Sequence, residues 1–139
     1  MGAVLLAVVL IGVWPLTTGQ YRSTVETSVQ DAVSSVGTAR LAGQTALRGK
    51  AFPPYESTVV EDARKAVVTA TSDIASLEVP DQDSAQLRDE VLPLLQDSVR
   101  LIGDLGAGLD DDDRAAADAA VTGLVSVGDR LAGVLEGLR

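Results

Sequence analysis

Three basic residues near the end of the first predicted helix are the best candidates for binding chemistry: Arg40, Arg48 and Lys50. Cationic side chains beside a helix N-terminus bind anions, because the free backbone amides of that end add to their positive charge. The stretch 20–52 carries a net charge of +2, whereas the whole chain carries −9. Two interpretations follow: a site for an anion or an acidic partner at the start of the second helix, or charge pairing between neighbouring helices.

A run of four acidic residues, Asp110–Asp113, is the other conspicuous charged feature. Calcium-binding loops space their ligands at alternate positions and end in a bidentate glutamate. The run has neither property, so we interpret it as the solvated first turn of a helix, where negative charge suits the helix dipole. In an up-down-up-down bundle this run lies at the same end as Arg48 and Lys50, and we expect its carboxylates within about 6 Å of those cations.

The amino-acid inventory excludes most catalytic and metal-binding machinery. The chain contains no histidine and no cysteine, so it lacks Ser-His and Cys-His nucleophile pairs, ordinary zinc ligands and the cysteine ligands of iron–sulfur clusters. The net charge of −9 and the presence of only four aromatic residues argue against binding a phosphate backbone or stacking bases. We therefore expect no catalytic residue, no cofactor, no metal and no nucleic-acid partner.

The first 21 residues form a largely apolar segment with no charged side chain before Arg22. A helix of about 20 residues is about 30 Å long, which matches the hydrocarbon thickness of a bilayer. Trp14 and Tyr21 lie near one end, where aromatic rings favour the headgroup interface. We predict a membrane anchor over residues 1–21. The alternatives are a cleaved signal peptide, although the usual basic n-region is missing, and a buried core helix.

The remaining chain, 22–139, contains four stretches in which apolar or small residues recur in alternating steps of three and four. This step is typical of the buried seam of a helix that packs at a shallow angle against its neighbours. The fold class predicted is all-α: an antiparallel up-down-up-down four-helix bundle that follows the N-terminal apolar helix. The seams are Val25, Val29, Ala32, Val36, Ala39, Gly43 and Ala46; Val60, Ala63, Val67, Ala70, Ile74 and Leu77; Leu87, Val91, Leu94, Ser98, Leu101 and Leu105; and Ala117, Ala120, Leu124, Val127, Leu131, Val134 and Leu138.

Local signals set the helix bounds. Thr58 and Glu61 have the spacing of a capping box at the start of the second helix, and a glycine cluster beginning at Gly106 ends the third. Pro93 is expected to kink the third helix rather than divide it in two. The first helix, up to about Val29, is expected to stand clear of the bundle as a stalk. The predicted helices are 20–49, 58–78, 84–106 and 112–138.

This layout resembles the extracytoplasmic four-helix ligand-binding domains of bacterial chemoreceptors. Nine arginines against two lysines are typical of a high-G+C bacterial genome. Chemoreceptors return through the membrane by a second span, whereas no second apolar run follows here, so we expect a protein partner. We interpret the chain as a membrane-tethered, non-enzymatic, extracytoplasmic helical interaction or sensor-like module. The alternative is a secreted soluble helical envelope or chaperone-like protein, released by cleavage near Gly19.

Overall fold

Four helices account for most of the chain that the computed structural model describes, residues 17–49 and 53–139. They are α1 (Thr18–Leu47), α2 (Pro53–Ser76), α3 (Gln82–Asp110) and α4 (Arg114–Leu138), and the described residues contain no strand. Each helix packs against the next, α4 packs back against α1, and α1 also contacts α3 across the bundle. The prediction of an all-α fold with four helices in a bundle is confirmed.

Hydrogen bonds at the helix ends show how α1 and α4 run. Arg22, in the first turns of α1, donates from its guanidinium to the carbonyl of Gly137 near the end of α4, at 2.9 Å. At the other end of the bundle Arg114, the first residue of α4, donates to the carbonyl of Leu47, the last residue of α1. The two helices are therefore antiparallel. Together with the short connections between consecutive helices, this is the pattern expected of an up-down-up-down bundle.

The core is narrow and almost wholly aliphatic. Tyr21, Val25 and Val29, at the beginning of α1, are completely buried in it, so the prediction that this part of the helix stands clear as a stalk is wrong. The stalk was inferred by assuming that the first helix continues from the apolar N-terminal segment. The seam residues of this helix are instead buried in the bundle from its beginning. The largest fully buried side chains are Tyr21, Ile74, Leu95, Ile102, Leu105, Leu124 and Leu131.

The start of α1 is a capping box. The backbone N–H of Gln20 donates to the Thr17 hydroxyl at 3.1 Å, and the Gln20 side chain accepts from the Thr17 backbone N–H at 3.0 Å. These bonds satisfy amides that have no partner within the helix. The first helix therefore occupies 18–47 rather than the predicted 20–49.

The second helix begins earlier than its sequence signals suggested. It starts at Pro53 and ends at Ser76, instead of covering 58–78. Proline is tolerated in the first turn of a helix, because the N–H that it lacks would have no partner there and its φ suits the helix. Thr58 consequently lies within α2, and the prediction that it caps the helix is wrong.

The third helix is longer than predicted at both ends, 82–110 instead of 84–106. Asp81 is its N-cap and accepts from the backbone N–H of Ser84 at 2.8 Å. The helix continues through Pro93, as predicted, but also through Gly106, where it was expected to end. A Cβ at Gly106 would lie 3.6 Å from Val60 of α2, so this glycine sits against a neighbouring helix rather than in a turn.

The aspartate run forms the turn between α3 and α4 rather than the first turn of a helix. Asp110 ends α3, Asp111 is its C-cap, Asp112 has a left-handed φ of 56°, and Asp113 caps α4. The Asp113 carboxylate accepts from the backbone N–H of Ala116 at 3.1 Å. The fourth helix is therefore 114–138 instead of 112–138, because aspartate favours caps and left-handed turns over helix interiors.

The anchor prediction falls mainly on residues 1–16, which lie outside the described residues. None of the four described helices is both long enough and apolar enough to cross a membrane. Tyr21, which was assigned to the interfacial end of the anchor, lies in the core of the bundle instead. The anchor and the location outside the cytoplasm remain predictions.

Candidate functional site

Two of the three predicted binding cations lie on one side of α1, facing α4. Arg40 is half-buried and Arg48 is exposed at the C-cap of the helix, while Lys50 lies outside the described residues. Arg40 and Arg48 line two cavities that share Val125 and Asp129 of α4. These two cavities form one surface depression, which we name the α1–α4 groove. Among the described residues, those that line the two cavities come from α1, its C-cap and α4. The site at the start of the second helix, which includes Lys50, stays a prediction.

The α1–α4 groove has rims of opposite charge. The part beside Arg40 has a volume of about 170 Å³ and the part beside Arg48 about 700 Å³. The α1 rim is basic, whereas the α4 rim carries Asp118 and Asp129. Between the rims, the larger part is lined by Leu47, Val121 and Val125, with the polar side chains of Gln44, Thr122 and Ser126.

The charges of the α1–α4 groove have no ionic partner among the described residues. Each ion pair within the described chain joins two residues of one helix: Glu61–Arg64, Arg88–Asp89, Asp97–Arg100 and Arg100–Asp104. The Nε atom of Arg40 is buried and has no hydrogen-bond partner in the described structure. Within the described residues, the charged side chains of the two rims are therefore not engaged in ion pairs.

No ion pair joins Arg48 to the aspartate run among the described residues, and Lys50 lies outside them, so proximity within about 6 Å stays a prediction. The two ends do meet, but it is Arg114 of α4 that bonds the Leu47 carbonyl of α1. Asp113 is occupied as a helix cap, and Asp111 and Asp112 form the turn. The carbonyls at a helix C-terminus attract a cation, so an arginine rather than an aspartate joins α4 to this end of α1.

A second groove, between α2 and α3, contains the ion pair of Glu61 and Arg64 beside the carboxylates of Glu56 and Asp110. It has a volume of about 390 Å³ and is lined by Glu61 and Arg64 together with Val60, Ile102 and Gly106. Arg64 donates two hydrogen bonds to the Glu61 carboxylate, the shorter at 2.7 Å. This hydrogen bonding lowers the pKa of Glu61 and raises that of Arg64.

A third cavity, between α3 and α4, is lined by Arg100, Asp104, Asp111 and Asp113 and has a volume of about 470 Å³. Arg100 forms an ion pair with Asp104 within it. Within the described part of the chain, no three potential metal-binding side chains come together. Among the described residues, the α1–α4 groove differs from these two cavities in its cations, because Arg64 and Arg100 are in ion pairs whereas Arg40 and Arg48 are not.

Tyr21 is the polar residue that the sequence did not single out. Its ring is fully buried and its hydroxyl has no hydrogen-bond partner in the described structure. Burial raises the pKa of this hydroxyl, and the nearby Arg88 opposes that change. Its position four residues before Val25 continues the seam of α1, and this spacing was the signal for its burial.

Comparison of the chain with protein-family models, with curated proteins and with solved structures gives no match. No relative's activity, ligand or partner therefore carries over to this chain.

Proposed function

We propose that this protein is a membrane-tethered, non-enzymatic, extracytoplasmic interaction module. The observation that carries the proposal is the α1–α4 groove, which joins an apolar floor to unpaired charges on the surface of a bundle with an aliphatic interior. Surfaces of this kind bind other macromolecules, since the apolar floor supplies affinity and the charges supply orientation. The lack of histidine and cysteine supports a role other than catalysis.

The tether is supported by the apolar N-terminal sequence, which carries no charge before Arg22. The core position of Tyr21 narrows the tether to the residues before α1. An apolar run of this kind also serves as the core of a signal peptide, so the alternative is a secreted bundle released by a signal peptidase.

For the secreted alternative, cleavage near Gly19 conflicts with the bundle. Such a cut would remove Thr17, the cap of α1, and Thr18, whose hydroxyl donates to the N-cap Asp81 of α3. We therefore place any cleavage before Thr17.

Fractionation of cells that express the full chain tests the tether. We expect the intact chain to remain in the membrane pellet after washing with alkaline carbonate. Mass spectrometry of the purified protein then defines its N-terminus. A soluble chain that begins close to Thr17 would contradict the tether and support secretion.

The side of the membrane is tested with a single cysteine, because the natural chain has none. Thr69 is exposed on α2, away from the α1–α4 groove. A membrane-impermeant maleimide added to intact cells should label the Thr69→Cys chain if the bundle lies outside the cytoplasm. The same variant without residues 2–16 is the matched control and should stay unlabelled until the cells are lysed. Labelling of the full chain only after lysis would place the bundle in the cytoplasm.

A further inference from the structure

The charges of the α1–α4 groove are arranged by helix. Arg40 and Arg48 lie eight residues apart on α1, whereas Asp118 and Asp129 lie on α4. The lining of the groove along α1 runs from Val33 to Arg48, which is about 24 Å of helix. The groove is thus more than four helical turns long, with its two basic residues about two turns apart on one rim and its two acidic residues about three turns apart on the other.

A surface with one basic and one acidic rim is complementary to itself. Consider a two-fold axis that lies in the contact plane and runs parallel to α1 and α4. It places α1 of one copy against α4 of the other, at the same height along the bundle. Symmetric dimers use one self-complementary patch in this way. Each basic rim then meets an acidic rim, twice in the same interface.

The positions of the charges along the groove agree with this arrangement. Arg40 and Asp129 line the smaller cavity of one copy, while Arg48, Asp118 and again Asp129 line the larger. Since the rotation keeps height unchanged, Arg40 faces the part of the partner copy's groove that Asp129 lines, and Arg48 faces the part that Asp118 lines. All four are without ionic partners among the described residues of a single copy.

We propose that the α1–α4 groove is the contact surface of a parallel two-fold dimer of this chain, in which the basic rim of each copy binds the acidic rim of the other. The inference names the partner of the proposed interaction module, and the parallel direction agrees with that function because both N-termini then lie at one end. The dimer contact itself does not require the tether, because it uses only the charges and the shape of the bundle.

Charge reversal in the full chain, purified in detergent, tests the dimer. We expect light scattering of the natural chain to give the mass of two copies after correction for detergent. Arg48→Glu and Asp118→Arg each place like charges together at both contacts, and each should weaken the dimer about tenfold or more. Lys65→Glu and Asp62→Arg, on exposed positions of α2, are the matched controls and should leave it unchanged.

Mixing the two groove variants gives the decisive result. In a dimer of one Arg48→Glu chain and one Asp118→Arg chain, both contacts again join opposite charges. With different tags on the two chains, we expect this mixed dimer to form about as tightly as the natural one, while neither variant pairs well with itself. Circular dichroism confirms that each variant keeps its helices. Restored binding on mixing requires α1 of one copy to face α4 of the other.

Cross-linking tests the geometry independently of charge. A chain with Gln44→Cys and a differently tagged chain with Thr122→Cys should form a disulfide when mixed, because both positions line the α1–α4 groove. Thr69→Cys in place of Thr122→Cys is the control. A monomeric natural chain, a dimer indifferent to the charge reversals, or mixed variants that fail to pair would each overturn the proposal. If the chain is recovered as a secreted protein and still dimerises through the α1–α4 groove, that result contradicts the tether and supports the dimer.

Discussion

The close approach of α3 and α4 at Gly108 gives a prediction whose size follows from the structure. A Cβ at this position would lie 2.9 Å from the backbone nitrogen of Ala117 and 3.2 Å from its Cα. The Ala117 N–H donates to the Asp113 carbonyl at 3.0 Å in the first turn of α4, and the Gly108 carbonyl accepts from the Asp113 N–H at 2.8 Å. Backbone atoms on both sides are thus tied by hydrogen bonds, and neither helix can move away easily.

We expect Gly108→Ala to destabilise the bundle by about 1–2 kcal/mol. Overpacking a rigid contact costs about 1–3 kcal/mol, and the helix propensity of alanine offsets less than about 1 kcal/mol near a helix end. Gly103→Ala in the same helix is the matched control, since a Cβ there meets nothing within 4 Å. That variant should gain up to about 1 kcal/mol.

Thermal unfolding followed by circular dichroism measures the difference. About 1 kcal/mol corresponds to roughly 3–6 °C in Tm for a domain of this size, so the two variants should shift in opposite directions. Gly123→Ala should fall between them, because its added Cβ would meet the Leu101 side chain, at 2.6 Å, and a side chain can rotate away. If Gly108→Ala proves as stable as Gly103→Ala, the packing of α3 against α4 at Ala117 is not as described.

Three further outcomes follow from burial and hydrogen bonding. Leu131→Ala should cost about 2–5 kcal/mol in denaturant unfolding, whereas Leu41→Ala, at a side chain 58% exposed, should stay within about 0.5 kcal/mol. Because the pKa of Tyr21 is raised in the fold, the contribution of its hydroxyl to the free energy of unfolding should be fully present below about pH 10 and fall as the pH rises above it. Tyr21→Phe should lessen that fall. An alkaline stability profile that the substitution leaves unchanged would contradict the burial of the hydroxyl. Hydrogen bonds from Thr18 and from the N-cap turn lower the pKa of Asp81, so its contribution should be lost as the pH falls below about 4. Asp81→Ala should remove that acid dependence at the N-cap, whereas Asp83→Ala should keep it.

The seams of α1 and α2 were predictable because their apolar residues leave little choice of register. In α3 the sequence offers two neighbouring apolar residues at each of two positions, and periodicity cannot choose between them. Leu95 and Ile102 are fully buried, while the predicted Leu94 and Leu101 are only half-buried. The choice is set by contacts with α1 across the bundle and with α4 alongside, which a single-helix pattern does not contain.

The α1–α4 groove could be predicted only in part. Arg40 follows the seam residue Ala39, and Gln44 follows the seam residue Gly43, so the sequence places both on one flank of α1. The seam pattern does not determine whether that flank faces α2 or α4, because both hands of an up-down-up-down bundle bury the same residues. The predicted site was placed against the start of the second helix, and the cavities that Arg40 and Arg48 line add a contact with α4 that the pattern did not contain.

The hydrogen bonds by which two arginines join α1 to α4 involve no carboxylate. Arg22 and Arg114 bond backbone carbonyls at opposite ends of the helix pair, not carboxylates. A carbonyl has no proton to gain in the physiological range and a guanidinium keeps its charge throughout, so neither bond changes when surface carboxylates become neutral. These two links between α1 and α4 therefore depend on no carboxylate, at either end of the helix pair.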